Sequence, residues 1–310
     1  MIIYRGDPLA WEPPAAGAAV AIGVFDGVHL GHRRVLGALR DGDDHLVRVA
    51  VTFGTHPAAL LAPEGAPPRL STLKRRLDLL AEAGIERVAV LEFDDHLRTL
   101  SPEQFVERFL VAGLRAQCVA VGAGFRFGVD AKGTTSTLEE LGGRFGFCVK
   151  VVDIRCDDGT EIRSTAIREA IAAGDMARAA ALLGRPYELE GIVVPGDGRG
   201  RELGTPTANV SFPAMLAVPL HGVYAVTVTI DGIDHEAVAN LGVRPTFGEA
   251  AEVLEVHVLG LDRNLYGKQV TVAFVERIRE ERKFDGIEAL KARIREDVAA
   301  AQRVFADRVS

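Results

Sequence analysis

The chain has 310 residues, 48% of them hydrophobic and 25% charged, with a formal net charge of −7. That composition excludes wholesale disorder and is enough for about two domains, each with its own core. The acidic balance offers no strongly basic domain for nucleic acid, and no run approaches the ~20 apolar residues of a membrane helix. The opening residues MIIYRGDPLAWEPP lack the basic start and apolar run of a signal peptide, so the expected location is cytoplasmic. The short basic runs Arg33-Arg34 and Lys74-Arg75-Arg76 read as solvated helix faces or small anion contacts. Cys118, Cys148 and Cys156 are odd in number and form no C-x-x-C, which argues against a zinc site or a disulfide framework.

From residue 18 to 153, strand-like and helix-like runs alternate. Residues 18–25 form a short apolar run, the pattern of a strand buried on both faces. A helix is expected near Gly31, then a strand at 46–53. A helix with Leu73, Leu77 and Leu80 on one face follows, with Ser71 as its cap. VAVLEF at 88–93 is the next strand. Ser101-Pro102-Glu103-Gln104 then opens a helix with a capping serine, proline at its first position and glutamine at its third. Residues 118–122 and 147–154 complete a set that argues for a parallel sheet with helices on both faces. Such sheets bind ligands at the carboxyl ends of their strands.

Two short helices are expected over 164–184, capped by Ser164 and Asp175 and stopped by Gly184 and Pro186. The predicted boundary follows them, giving domains 1–186 and 187–310. Beyond it, Asp231-Gly232 between β-rich runs marks a hairpin. Strands at 253–259 and 270–275 extend the pattern to an antiparallel barrel. A closing helix over about 286–305 carries Ile287, Leu290, Ile294 and Val298 on one apolar face.

Two constellations carry chemistry. Residues 23–32 read Gly-Val-Phe-Asp-Gly-Val-His-Leu-Gly-His, leaving a buried strand and entering a helix whose free N–H groups favour an anion. His29 and His32, three apart, can share the first helical turn. They are either phosphate-polarising groups or capping and core histidines. A zinc site lacks a third ligand at a convincing spacing. Residues 196–209, GDGRGRELGTPTAN, supply a glycine-rich loop that can cradle phosphate or simply turn at the surface. Thr207 and Asn209 offer two oxygens on one strand face, suited to magnesium. Glu255 and His257 share a strand face, with Leu254, Val256 and Val258 on the other.

The decapeptide resembles the G-x-F-D-G-x-H-x-G-H signature of the flavin branch of the nucleotidylyltransferases. Thr52-Phe53-x-x-His56-Pro57 and Ser164-Thr165-Ala166-Ile167-Arg168 resemble that branch's later motifs. GRELGTPTAN, GVYAV, ANLGVRPTFG, the Glu255 segment, NLYGK and IREERKF resemble the riboflavin kinase module. Nearly the whole chain is thus similar to the prokaryotic bifunctional riboflavin kinase/FAD synthetases. The resemblance implies a Rossmann-like α/β nucleotidylyltransferase domain followed by an antiparallel β-barrel with a C-terminal helix. It implies ATP-dependent conversion of riboflavin to FMN and of FMN to FAD, with neither nucleic acid nor membrane as partner.

For the kinase, the resemblance makes Glu255 the base, Thr207 and Asn209 the Mg2+ and ATP ligands, and Gly204 part of the ATP loop. Arg279 and Phe284 are candidates for the flavin. For adenylyl transfer it gives Gly23, Phe25, Asp26, His29 and His32 to ATP, with the two histidines catalytic. Ser164, Thr165 and Arg168 would hold the leaving phosphates. The chain departs from the family at Gly124, Ala131 and Arg163, where polar or basic residues, or serine, are usual, and at Gly260 in the kinase half. Gly124 motivates an alternative, a kinase whose FAD synthetase module is weak or inactive. A non-catalytic flavin- or nucleotide-binding regulator is a further alternative. The oligomeric state is left open by the sequence.

Overall fold

The computed structural model describes residues 1–40, 45–61, 65–155, 162–196, 205–245, 250–282 and 286–309. Two compact units emerge, Met1–Pro67 with Ser71–Ser164, and Pro68–Leu70 with Thr165–Ser310.

The first unit is built on six parallel-paired strands: β1 Ile2–Tyr4, β2 Ala18–Ile22, β3 Val47–Phe53, β4 Arg87–Leu91, β5 Ala116–Gly122 and β6 Cys148–Val152. Their order is β1-β4-β3-β2-β5-β6. β2 is buried along its whole length, as its unbroken apolar run requires. One core cluster joins Val20, Val49, Phe105, Leu110 and Leu138; a second joins Ala21, Phe25, Leu36, Leu80 and Val90. The alternation of β2 and β3 side chains between these clusters places helices on both faces. β1, which the sequence pattern did not reveal, pairs with β4.

Local signals hold in several places. Ser101 and Gln104 form the reciprocal capping box expected of them. Asp175 caps helix Met176–Leu183, and Gly184 ends it in the left-handed conformation. Elsewhere, tertiary contacts override them. Thr72, not Ser71, caps helix Leu73–Glu82 by accepting from the Arg75 N–H, because Ser71 turns inward to another partner. Arg76, expected on a solvated face, is 0% exposed. Cys118 and Cys148 lie in direct register on β5 and β6 and are disulfide-bonded, correcting the expectation of no disulfide. Cys156 lies outside the described residues.

The second unit contains a closed antiparallel barrel: β7 Tyr187–Val194, β8 Ala208–Ser211, β9 Gly222–Ile230, β10 Ile233–Pro245, β11 Ala250–Val258 and β12 Gln269–Arg279, in the order β10-β11-β8-β7-β12-β9. The β9–β10 hairpin turns at Asp231 (φ 53°) and Gly232 (φ 80°), the positive pair that Asp-Gly favours. Helices Ser164–Ala172 and Met176–Leu183, which the sequence placed before the boundary, belong to this unit. Leu220 N–H donates to Ile171 O at 3.2 Å, and a Cβ on Gly174 would meet Arg277 Cδ at 2.8 Å.

The closing helix runs Ile287–Val309. Its inward face is centred on Asp297, Ala301 and Phe305, whereas Ile287 is 63% exposed. The shift from the expected apolar stripe has a polar cause. Arg279 on β12 grips Asp297 through two bonds, Nε to Oδ1 at 2.8 Å and Nη2 to Oδ2 at 2.7 Å. Asp297 is 3% exposed. Removing one partner of a buried pair strands the other charge, at a cost of about 3–5 kcal/mol. Asp297→Ala is expected to destabilise the barrel unit by about that much in a urea titration followed by far-ultraviolet circular dichroism. A change below about 1 kcal/mol would show that the helix is held by its apolar contacts alone.

Candidate active site

In the first unit the site grows from the end of β2. The sheet order reverses there, with β3 on one side and β5 on the other, which opens a crevice at the carboxyl ends of the strands. The chain leaves β2 through Gly23 and makes a turn with Phe25 (φ 52°), Gly27 (φ 73°) and Val28 (φ 40°) all left-handed. Phe25 and Val28 each cost about 1–3 kcal/mol in that region, so the surroundings must hold them. They do so from both sides. Asp26 is 2% exposed, and its Oδ1 accepts the Ser71 N–H at 3.2 Å. The Gly27 N–H donates to Ser71 Oγ at 3.0 Å. Across the turn, Thr52 Oγ1 at the end of β3 donates to Val24 O at 2.8 Å.

The turn delivers the histidine pair. His29 caps helix Leu30–Gly37 by accepting the His32 N–H on Nδ1 at 3.3 Å. That acceptance leaves the proton of a neutral His29 ring on Nε2. The rings of His29 and His32 stack with centroids 3.5 Å apart, and Phe25 meets His32 edge-on at 5.3 Å. His32 Nδ1 is sealed from solvent and has no hydrogen-bond partner among the described residues. Burial, then His29, then the Arg76 charge hold the His32 pKa well below the ordinary 6.5. His32 is thus held as a neutral imidazole rather than a fixed charge.

The third motif reaches this turn through Ile162. A Cβ on Gly31 would meet Ile162 O and the His29 ring at 3.2 Å, so glycine lets the two segments close together without a tight contact. Ser164 ends the first unit, while Thr165 and Arg168 lie in the second, Thr165 exposed and Arg168 Nε donating to Pro68 O at 2.6 Å. In the loop after β5, Gly124 is exposed and has open space where a Cβ would stand, so a polar side chain fits there sterically. Ala131 has φ 53°, and Asp130 beside it pairs with Lys132 at 3.2 Å. No cluster of three or more His, Cys, Asp or Glu suited to a metal occurs among the described residues.

In the barrel, Glu255 on β11 stands opposite Asn209 on β8 and Asn240 on β10. Pairing places the three half-buried residues in one row across three strands. Leu254 and Val256 on the other face are buried at 0% and 1%, as their alternation requires. Thr207 is exposed just before β8, and His257 Nδ1 lies 2.8 Å from Pro206 O beside it. A Cβ on Gly196 would lie 1.9 Å from Asn209 Nδ2, so any larger residue there would displace the Asn209 amide. Gly260 has φ 69°, which accounts for a glycine at that turn. Arg279 is engaged with Asp297, and Gly204 and Phe284 lie outside the described residues.

Thr52, Ser71, Arg76 and Asn240 carry no site role in the sequence pattern, which gives Thr52 only as part of a motif, Ser71 as a helix cap and Arg76 as part of a short basic run. Asn240 could have been found, because it lies in ANLGVRPTFG. Ser71 and Arg76 could not, since their partners lie far away in the chain.

A nucleotide-binding parallel sheet with a histidine pair at its switch point, and a barrel presenting a carboxylate between amides, define a two-module nucleotide-using transferase. Profiles of whole families agree with that division: FAD synthetase matches residues 12–166 and riboflavin kinase matches 183–305. Bifunctional riboflavin kinase/FMN adenylyltransferases are 43% identical in Pseudomonas fluorescens, over 95% of both chains, and 37% identical in Escherichia coli K12, over 98% of both. A crystal structure from Streptococcus pneumoniae, described as a macrolide-efflux protein, superposes with a TM-score of 0.88 at 29% identity, covering 97% of this chain and 99% of that one. No helix among the described residues is long and apolar enough to cross a membrane. The chain belongs to the bifunctional riboflavin kinase/FMN adenylyltransferase family and is an enzyme. Neither the weakened-synthetase reading nor the regulator reading gains support from these relatives.

His32 also predicts a pH dependence. Its folded pKa lies below the unfolded one, so below pH 6.5 the unfolded chain gains a proton that the folded chain refuses. Its stability contribution is complete above that pH and is lost as pH falls. His32→Asn is expected to shrink the drop in Tm of the first unit between about pH 7.5 and pH 5.5. An undiminished drop would assign the acid sensitivity to other groups.

Proposed function

We propose that the two modules act in series on one flavin. The barrel module phosphorylates riboflavin with ATP to give FMN and ADP. The parallel-sheet module joins FMN to the AMP portion of a second ATP, giving FAD and pyrophosphate. The observation that carries this reading is the row Asn209–Glu255–Asn240, which brings the P-T-A-N element to the one carboxylate the family pattern makes a base.

In the kinase step, Glu255 takes the proton of the terminal ribityl hydroxyl as that oxygen attacks the γ-phosphorus and ADP leaves. Positioning and charge stabilisation supply most of the catalysis in such transfers. Thr207 and Asn209 fit a magnesium ion: both offer neutral, hard oxygens close together at the start of β8. Magnesium bound there would neutralise phosphate charge. Asn240 flanks Glu255 on the side away from Asn209 and would help orient its carboxylate. Flavin contacts of Arg279 and Phe284 rest on the family pattern alone, and the bidentate hold of Asp297 on Arg279 favours a supporting role for that residue.

In the adenylyl step, the FMN phosphate is already a nucleophile, so no strong base is needed. It attacks the α-phosphorus of ATP and pyrophosphate departs. His29, with its Nε2 proton, and His32 stabilise the charge that builds on the α-phosphate oxygens. The roles of Gly23, Phe25 and Asp26 are to shape the turn, and those of Ser164, Thr165 and Arg168 rest on their motif, as the role of Gly204 in the kinase module's ATP loop rests on its own. The proposed module boundary lies at 186/187. Dependence on ATP supports a cytoplasmic setting.

Glu255→Ala is expected to slow FMN formation from riboflavin by about 10²–10⁴-fold and to leave FAD formation from added FMN intact. His29→Ala/His32→Ala is expected to do the reverse, abolishing FAD while FMN accumulates. Chromatographic time courses starting from each flavin read both outcomes. Parallel loss of both products in either variant would refute two separate sites.

A further inference from the structure

Among the described residues the largest fully buried side chain is a charged one, Arg76. It projects from helix Leu73–Glu82 beneath the end of β3. Its Nη1 donates to Phe53 O at 2.7 Å and to Thr52 Oγ1 at 3.3 Å. Thr52, itself 0% exposed, passes its own proton to Val24 O at 2.8 Å. A continuous line of hydrogen bonds thus runs from Arg76 through Thr52 to the first residue of the left-handed turn. The residue five places earlier, Ser71, grips the same turn at Asp26 and Gly27. One short segment, Ser71–Arg76, therefore braces the turn on both flanks. Both Arg76 bonds leave Nη1, whose two N–H groups serve two acceptors at once.

We propose that Arg76 is a positioning residue for adenylyl transfer: through Thr52 it holds the Val24 carbonyl, and with it the turn that aims His29 and His32. Arg76 need not touch either substrate. It fixes a backbone that carries two non-glycine residues at positive φ and would otherwise relax. The inference rests on the reading that His29 and His32 form the adenylyl-transfer site.

The test uses the full chain and four variants, Arg76→Met, Arg76→Lys, Thr52→Val and the Met/Val double, with His29→Ala/His32→Ala assayed alongside. The single tryptophan, Trp11, is buried in the first unit, so its emission reports whether that unit stays packed. Arg76→Met and Thr52→Val are each expected to lower kcat for FAD formation by about 10–10²-fold, with KM for FMN within about threefold. Riboflavin phosphorylation should be unchanged. The double variant should be no slower than the slower single one, because both cut the same line. Arg76→Lys, which restores a charged donor, should recover part of the lost turnover.

Wild-type turnover in Thr52→Val, or losses that multiply in the double variant, would overturn the proposal. If Arg76→Met alters Trp11 emission, the nearly isosteric Thr52→Val decides alone. FAD formation surviving in His29→Ala/His32→Ala would overturn the site reading and this proposal together. Its loss there, with turnover kept in Thr52→Val, would overturn the Arg76 role only.

Discussion

The adenylyl site depends on one strained piece of backbone, the turn from Gly23 to His29 at the end of a fully buried strand. Left-handed Phe25 and Val28 are unfavourable by themselves. They persist because β2 is enclosed on both faces and because Ser71 and Thr52 hold the turn's polar groups from opposite sides. The strain has a chemical use. It places His29 at the N-cap of the following helix, where accepting the His32 N–H sets its tautomer and stacks the two rings. Free N–H groups at that helix start and a stacked imidazole pair suit an anionic phosphate better than either would alone.

The barrel meets a different constraint. A closed barrel has no free edges, so its chemistry sits on side chains of alternating strand positions rather than on exposed backbone. Alternation sends Leu254 and Val256 inward and leaves Glu255 on the opposite face, level with Asn209 and Asn240. Cross-strand pairing thus assembles a carboxylate and two amides from three segments. The Arg279–Asp297 pair draws the closing helix onto β12 through a buried polar contact, which is why that helix shows a face the apolar spacing does not describe.

The departures at Gly124 and Gly260 read differently once placed. Gly260 occupies a left-handed turn that glycine tolerates best. Gly124 has open space where a Cβ would stand, so the loop itself does not require a glycine there. Relatives matched over nearly the whole length carry both activities in their names, and the histidine turn is intact.

The sequence by itself determined the two architectures, most of the elements along the chain and, through its motifs, most of the chemistry; the order of strands within each sheet came from the tertiary structure. Buried parallel strands, capping boxes, an Asp-Gly hairpin and the two glycine-rich motifs are local signals, readable within a few residues. Tertiary structure decided what depends on distant partners. Ser71 is a plausible cap in sequence, but Asp26, 45 residues away, claims it and leaves the cap to Thr72. Arg76 looks like a solvated charge in a basic run, until helix packing turns it under β3 toward Thr52 and Phe53. Cys118 and Cys148 have no telling spacing, yet β5 and β6 set them side by side. Asn240 joins Glu255 only through strand register. Local propensity fixes which elements form; burial and long-range hydrogen bonds fix which polar groups meet, and the functional geometry lies in those meetings.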